Sequence, residues 1–279
     1  MSQKFSLLEN LENILPLAFA EDGPDITTQA LADLHENVKA RIIAKAPGVV
    51  CGLPLLPYIF TYRMSNVSIN PQVHDGDVVQ KDSVVAILEG SALGILSAER
   101  VGLNFLQRLS GIATLTRKFL TLVQGTPVVL LDTRKTVPGW RHLEKYATRV
   151  GGAKNNRMSA AEAVMLKDNH LVLAKGPAAA VKKVREYHGD KVEVVLEVRN
   201  LEELKEAFTL PVNKIMLDNF TVENVRQAVA LAGGRIPLEA TGGINLQNIK
   251  EFAATGVNFI SIGAITHSAP ALDLSLEVS

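Results

Sequence analysis

VEVVLEVRNLEELKEAFTLPVNKIMLDN, residues 192–219, decides the fold. Two short apolar runs, VEVVLEV and KIMLDN, carry Glu197 and Asp218 at their carboxyl ends, and a helical segment separates them. Such runs suit strands buried on both faces of a parallel sheet, and parallel neighbours need a crossover of about a dozen residues or more. The same unit recurs outward in both directions: PVVLLD (127–132) and AVMLKD (163–168) precede it, PLEAT (237–241) and FISIG (259–263) follow it. The strand ends fall at Asp132, Lys167, Glu197, Asp218, Thr241 and Gly263, 21–35 residues apart, so six βα units are legible. In a β/α barrel these ends would converge on one mouth, whereas an open doubly wound sheet would spread them along an edge.

Upstream the pattern is mixed. A helix near Phe5–Ala20 precedes β-like alternation at Val38–Ala46 and short strands around Val67–Ile69, Val78–Val79 and Val84–Leu88, which predicts an α+β domain. Ser97–Val123 reads as a long helix with Val101, Phe105, Leu106, Leu109 and Ile112 on one face, broken or kinked at Gly111. The piece HDGDVVQKDSVVAILEG (74–90) resembles the hammerhead strands of biotinyl and lipoyl carrier domains. Lys81 lacks the flanking methionines of the biotin signature, so the segment is read as structural.

Composition narrows the function. The 279 residues are 47% hydrophobic, a globular rather than disordered balance, and 29 basic side chains against 29 acidic ones leave no global field to draw a polyanion such as nucleic acid. A lone cysteine, Cys51, excludes an intrachain disulfide framework and a Cys-x-x-Cys zinc site. Glu9, Asn10, Glu12 and Asn13 interrupt the N-terminal apolar residues, unlike a signal peptide, and no stretch approaches the roughly 20 apolar residues that span a bilayer. The expected location is the cytoplasm, with no membrane partner.

The strand ends carry the chemistry. Arg134 and Lys135 follow a strand directly and suit an anion: the guanidinium as a bidentate fork, the ammonium as a point charge. Lys154, Arg157 and Lys167 add charge at the same rim. Glu197 and Asp218 suit a hard cation such as magnesium held partly by a pyrophosphate, or simply neutralise the neighbouring cations. ATGGIN (240–245) and SIGA (261–264) place glycines at two successive strand ends ahead of helical segments, a phosphate cradle or a tight turn. There is no P-loop, dinucleotide fingerprint or nucleophile elbow, and the six histidines lack metal-ligand spacing. Bottom-up, this is a phosphosugar-handling barrel.

LNFLQRLSGIAT, LLDTRKTVPGWRHLEKY, GGAKNNR, KDNH, LDNF, ATGGIN and SIGAITHSAPALDLSL together resemble the quinolinate phosphoribosyltransferase family, from about residue 97 to the C-terminus, with a weaker echo in AEDGPDITTQAL. The resemblance implies an α/β fold with an N-terminal α/β sandwich domain, 1–112 completed by 268–279, and an incomplete, seven-stranded β/α barrel over 113–267. It implies transfer of phosphoribosyl from phosphoribosyl pyrophosphate to quinolinate with decarboxylation, in de novo NAD biosynthesis, with Mg2+ as cofactor. It further implies a homodimer, or a hexamer, in which one subunit covers the other's barrel mouth. Carried over, Arg134, Arg157 and Lys167 match the quinolinate-binding cations, and Arg100 matches an arginine lent by the neighbouring subunit. Lys135 matches a phosphate-side contact. Glu197 and Asp218 match the acids near the ribose and magnesium, which with Lys167 form the expected catalytic set. Thr241, Gly242, Gly243, Gly263, Ala264 and His267 match the phosphoribosyl pyrophosphate end. Two departures stand out: Asn156 replaces the family's usual histidine, losing a group that can become cationic, and Thr241 replaces serine, keeping the hydroxyl.

Overall fold

The computed structural model describes residues 7–31, 36–62 and 66–279. In chain order its elements are α1 (Leu7–Asp22), α2 (Ile26–Leu31), β1 (Asn37–Ala44), β2 (Gly48–Val49), α3 (Leu56–Phe60), β3 (Val67–Pro71), β4 (Val78–Val79), β5 (Val84–Ser91) and α4 (Ala92–Leu122). Then follow β6 (Val129–Leu131), α5 (Arg141–Gly151), β7 (Ala163–Leu166), α6 (Asp168–Ala174), α7 (Pro177–His188), β8 (Glu193–Val198), α8 (Leu201–Ala207), β9 (Lys214–Asp218), α9 (Val222–Ala232), β10 (Leu238–Thr241), α10 (Ile249–Ala253), β11 (Phe259–Ser261), α11 (Ala264–His267) and β12 (Leu274–Val278). Contacts divide the chain into two units: Met1–Arg117 with Thr136–Gly152 and Ile265–Ser279, and Lys118–Lys135 with Ala153–Ala264. The first unit takes in Thr136–Gly152, a stretch that the sequence boundary at 112/113 assigns to the barrel.

In the first unit a four-stranded antiparallel sheet runs β12-β1-β5-β3, and β2 pairs separately with β4. Strand β1 is central because its Ala40, Ile42, Ile43 and Ala44 are buried, with Ile42 opposite both Leu276 and Ala86. Helix α1 buries Leu11, Leu15 and Phe19, four residues apart on one stripe; the expected start at Phe5 lies outside the described residues. Val101, Phe105, Leu106, Leu109 and Ile112 are all buried on α4, as their spacing predicts. Gly111 does not break that helix, which continues for 31 residues. A Cβ there would lie 2.1 Å from the carbonyl oxygen of Pro270, so the glycine serves close backbone approach rather than a bend. Lys81 is exposed in the turn before β5.

In the second unit all six strands are parallel, in the order β6-β11-β10-β9-β8-β7. From β7 to β11 successive strands are neighbours, and the first strand, β6, pairs with the last, β11. That return is how a barrel closes, and an open doubly wound sheet would instead reverse its order at a switch point. A single parallel bridge, Leu131 to Lys154, adds a rudimentary further strand beside β6, and β7 is the sheet's other edge. The barrel is therefore incomplete between these edges. No helix among the described residues is long and apolar enough to cross a membrane.

Candidate active site

Strand register places the predicted residues on one face of the second unit. Thr241 lies level with Asp218, Glu197 with Met216, and Leu196 with Leu166, so Lys167, Glu197, Asp218 and Thr241 project from the same side at adjacent carboxyl ends.

The KDNH segment fixes Lys167. Its backbone is extended at the N-cap of α6; its N–H donates to His170 Nδ1 (3.1 Å), and its carbonyl accepts from the N–H of His170 (2.8 Å). His170 therefore acts as a helix cap. With its backbone so held, Lys167 donates through Nζ to Glu197 Oε2 and forms an ion pair. Glu197 is 8% exposed and Lys167 41%, so the ammonium remains open to a ligand.

Arg157 and Arg134 form the second cationic group. Burial is the main cause that holds Arg157 below the ordinary arginine range, and the neighbouring Arg134 guanidinium adds to it, while Glu162 opposes both. Nη1 of Arg157 donates to the Ala163 carbonyl (2.5 Å). Arg134 and Lys135 are exposed in a turn that Thr133 Oγ1 tightens by accepting from the Lys135 N–H (3.1 Å). The Arg157 loop hangs from Asp132, wholly buried, which accepts from Asn155 Nδ2 (2.5 Å) and the Asn156 N–H (2.8 Å). Lys154 is exposed, and its backbone makes the bridge to Leu131.

Asp218 is half-buried and accepts from Asn219 Nδ2 (2.9 Å). Asn219 takes a left-handed backbone (φ 55°), and its N–H donates to the Thr241 carbonyl (2.9 Å). This brings it against Gly242, which has φ +88°, and a Cβ there would meet Asn219 Oδ1 at 2.3 Å. Gly242→Ala is expected to destabilise the protein by about 2 kcal/mol through strain and crowding; thermal melting checks this.

The two glycine strand ends differ. Gly263 directly precedes α11, which begins at Ala264, as the sequence predicts. Beyond Gly243, however, the side-chain amides of Asn245 (3.3 Å) and Asn248 (3.0 Å) donate to the Gly243 carbonyl, and α10 starts only at Ile249. A folded turn therefore separates this pair from its helix. Arg100 and His267 lie in the first unit. Arg100 lines a cavity of about 280 Å³ with Asp22, Asp25 and Glu99, and burial pushes the Glu99 carboxyl up. His267 Nδ1 sits 2.6 Å from Ser268 Oγ.

Sequence reasoning missed the support beneath this face: the roles of Asp132 and Asn155, and the buried polar residues Lys214, Glu239 and Ser261. Their signal is a charged or hydroxyl side chain within an apolar strand, as in KIMLD, PLEAT and FISIG. Among the described residues, no three His, Cys, Asp or Glu side chains gather as a metal site. Glu197 and Asp218 offer carboxylate oxygens of the kind magnesium takes when substrate oxygens complete its shell.

Comparison with known proteins agrees along nearly the whole chain. Residues 25–110 match the family described as quinolinate phosphoribosyl transferase, N-terminal domain, and residues 112–277 its C-terminal domain. The probable nicotinate-nucleotide pyrophosphorylase [carboxylating] of Bacillus subtilis is 39% identical over 271 residues, covering 96% of this chain and 93% of that protein. The chloroplastic enzyme of Arabidopsis thaliana is 40% identical over 290 residues, 96% of this chain and 83% of that protein. The solved nicotinate-nucleotide pyrophosphorylase from Francisella tularensis superposes with a TM-score of 0.92 at 38% identity, covering 97% and 96% of the two chains. The one from Ehrlichia chaffeensis gives 0.92 at 35% identity over 99% and 100%. With both domains matched and relatives this similar over most of their length, the chain belongs to the quinolinate phosphoribosyltransferase family.

Proposed function

We propose that this protein transfers the phosphoribosyl group of phosphoribosyl pyrophosphate to quinolinate and decarboxylates the adduct, yielding nicotinate mononucleotide, pyrophosphate and carbon dioxide in de novo NAD biosynthesis. One observation carries the acceptor: Arg157 is half-buried beside a second guanidinium, Arg134, which makes its charge costly. An acceptor with two adjacent carboxylates repays both cations at once, whereas a monocarboxylate repays one.

The chain's residues then divide the work. Arg134, Arg157 and Lys167 hold the acceptor carboxylates and aim its ring nitrogen at the ribose. Departure of pyrophosphate leaves an oxocarbenium-like ribose, and the carboxylate of Glu197, 8% exposed and already oriented by Lys167, stabilises that charge together with Asp218. No nucleophilic side chain is required. The new pyridinium nitrogen draws electrons from the neighbouring carbon, so that carboxylate leaves as carbon dioxide and a proton replaces it. Glu197 and Asp218 would hold a magnesium ion together with the pyrophosphate oxygens, and the ion would supply the positive charge that offsets the leaving group. Lys135, Thr241, Gly242, Gly243, Gly263, Ala264 and His267 bind the phosphates.

We place the enzyme in the cytoplasm as a homodimer, with Arg100 serving the partner's site. Arg100→Ala and Lys167→Ala subunits are each expected to be inactive. Mixed in equal amounts they should regain about a quarter of wild-type activity, because each mixed dimer keeps one native site. Proven subunit exchange without recovery would rule this sharing out. The reaction itself is tested by following nicotinate mononucleotide from purified protein, phosphoribosyl pyrophosphate and magnesium. Product is expected with quinolinate and not with nicotinic acid; folded protein that binds phosphoribosyl pyrophosphate yet turns over neither acid overturns the assignment.

A further inference from the structure

Within the barrel, one buried ion pair has no part in the chemistry above. Lys214, at the start of β9, brings Nζ to 2.5 Å from Glu239 Oε2 on β10; the side chains are 12% and 0% exposed. The other carboxylate oxygen, Oε1, accepts from Ser261 Oγ (2.5 Å) and from Asn156 Nδ2 (3.3 Å). At its other end the Asn156 amide accepts the Arg157 N–H at Oδ1 (2.8 Å). Lys214, Asn155, Asn156 and Arg157 together line a cavity of about 380 Å³.

Buried ion pairs are costly, and apolar replacements are often as stable or more so. This one also imposes a direction. A carboxylate accepts only, so Asn156 must turn its NH2 toward Glu239, and the amide oxygen then faces the Arg157 N–H. A buried carboxylate left without its cation takes up a proton or draws in water, and the demand for that orientation is lost. We infer that Lys214 is a positioning residue for acceptor binding: by pairing with Glu239 it fixes the Asn156 amide and, through it, the backbone that aims Arg157. The kinetic consequence rests on the acceptor reading given above, while the positioning itself does not.

Two variants test it. Lys214→Met should raise the KM for quinolinate about tenfold, or about 1.4 kcal/mol, with kcat and the KM for phosphoribosyl pyrophosphate within about twofold of wild type, and Lys214→Arg should restore the KM to within about threefold. Lys214→Met combined with Glu239→Gln leaves no unpaired buried charge, so it should fold with wild-type thermal stability and still show the raised quinolinate KM, because a glutamine no longer dictates which way Asn156 faces. A crystal structure of this double variant without substrate should show the Asn156 amide released and Arg157 displaced. A native-like loop there, a wild-type quinolinate KM in the double variant, or an equal rise in both substrates' KM values overturns the proposal. If wild-type protein turns over no quinolinate while the loop moves in the double variant, the acceptor assignment falls and the positioning role stands.

Discussion

Lys167→Ala is expected to lower kcat/KM for quinolinate at least about a thousandfold, since one preorganised charge at a reacting centre is worth about 10²–10³ in rate and the change also strands its partner. The ammonium pairs with Glu197, a carboxylate only 8% exposed, and in the function proposed above it also holds the acceptor. Removing it takes a cation from the acceptor and leaves Glu197 without its ion-pair partner. The fold should survive, because Lys167 caps α6 with backbone groups, which alanine also supplies, and its side chain is 41% exposed. Lys167→Arg keeps the charge but replaces a compact donor with a planar fork, so only partial recovery is expected. Steady-state kinetics with a thermal melt of each variant decides the matter: activity within tenfold of wild type would remove Lys167 from the site, and lost activity with a collapsed melting temperature would make its role structural.

What the sequence revealed follows from periodicity. The six strands of the second unit sit where short apolar runs place them, because a strand buried on both faces must be apolar nearly throughout, and its carboxyl end is where polarity returns. Lys167, Glu197, Asp218 and Thr241 were therefore legible as a row. Gly111 misled because a glycine within a helix has two readings, and the one that applies depends on Pro270, far away in sequence. The glycines at 242 and 243 left a phosphate cradle and a tight turn both open, and the side chains of Asn245 and Asn248, outside the glycine pair, fold a turn that delays the helix to Ile249. Asn156 could be read only as a lost histidine. Its partners, Glu239 and Ser261, lie 83 and 105 residues further along the chain, and no local pattern marks such a pairing.

Arg108→Met is expected to cost about 3–5 kcal/mol of stability at neutral pH, the range for a buried charge left without its partner. Arg108 on α4 donates to Glu144 Oε1 through Nη2 (2.7 Å) and Nε (3.1 Å), to the Ala269 carbonyl (3.0 Å) and to the Thr266 carbonyl. Glu144 on α5 is wholly buried, and its Oε2 accepts the Val137 N–H (3.2 Å). Burial pushes the Glu144 carboxyl above the ordinary glutamate range, and Arg108 pulls it back part of the way. A carboxyl raised in the folded state holds its proton more tightly there than in the unfolded chain, so stability falls as pH climbs through the interval between the two values. Without Arg108 that interval widens upward. The variant should therefore come closer to wild-type stability as the pH falls toward 4.5 and drop progressively behind toward pH 7.5. Urea unfolding at the two pH values measures the gap, and an equal deficit at both would mean that the lost packing and carbonyl contacts, not the stranded carboxylate, dominate. Adding Glu144→Gln to the variant removes the charge while keeping an acceptor for the Val137 N–H, so the pH-dependent part of the loss should disappear and leave only the contacts to Thr266 and Ala269 unmade.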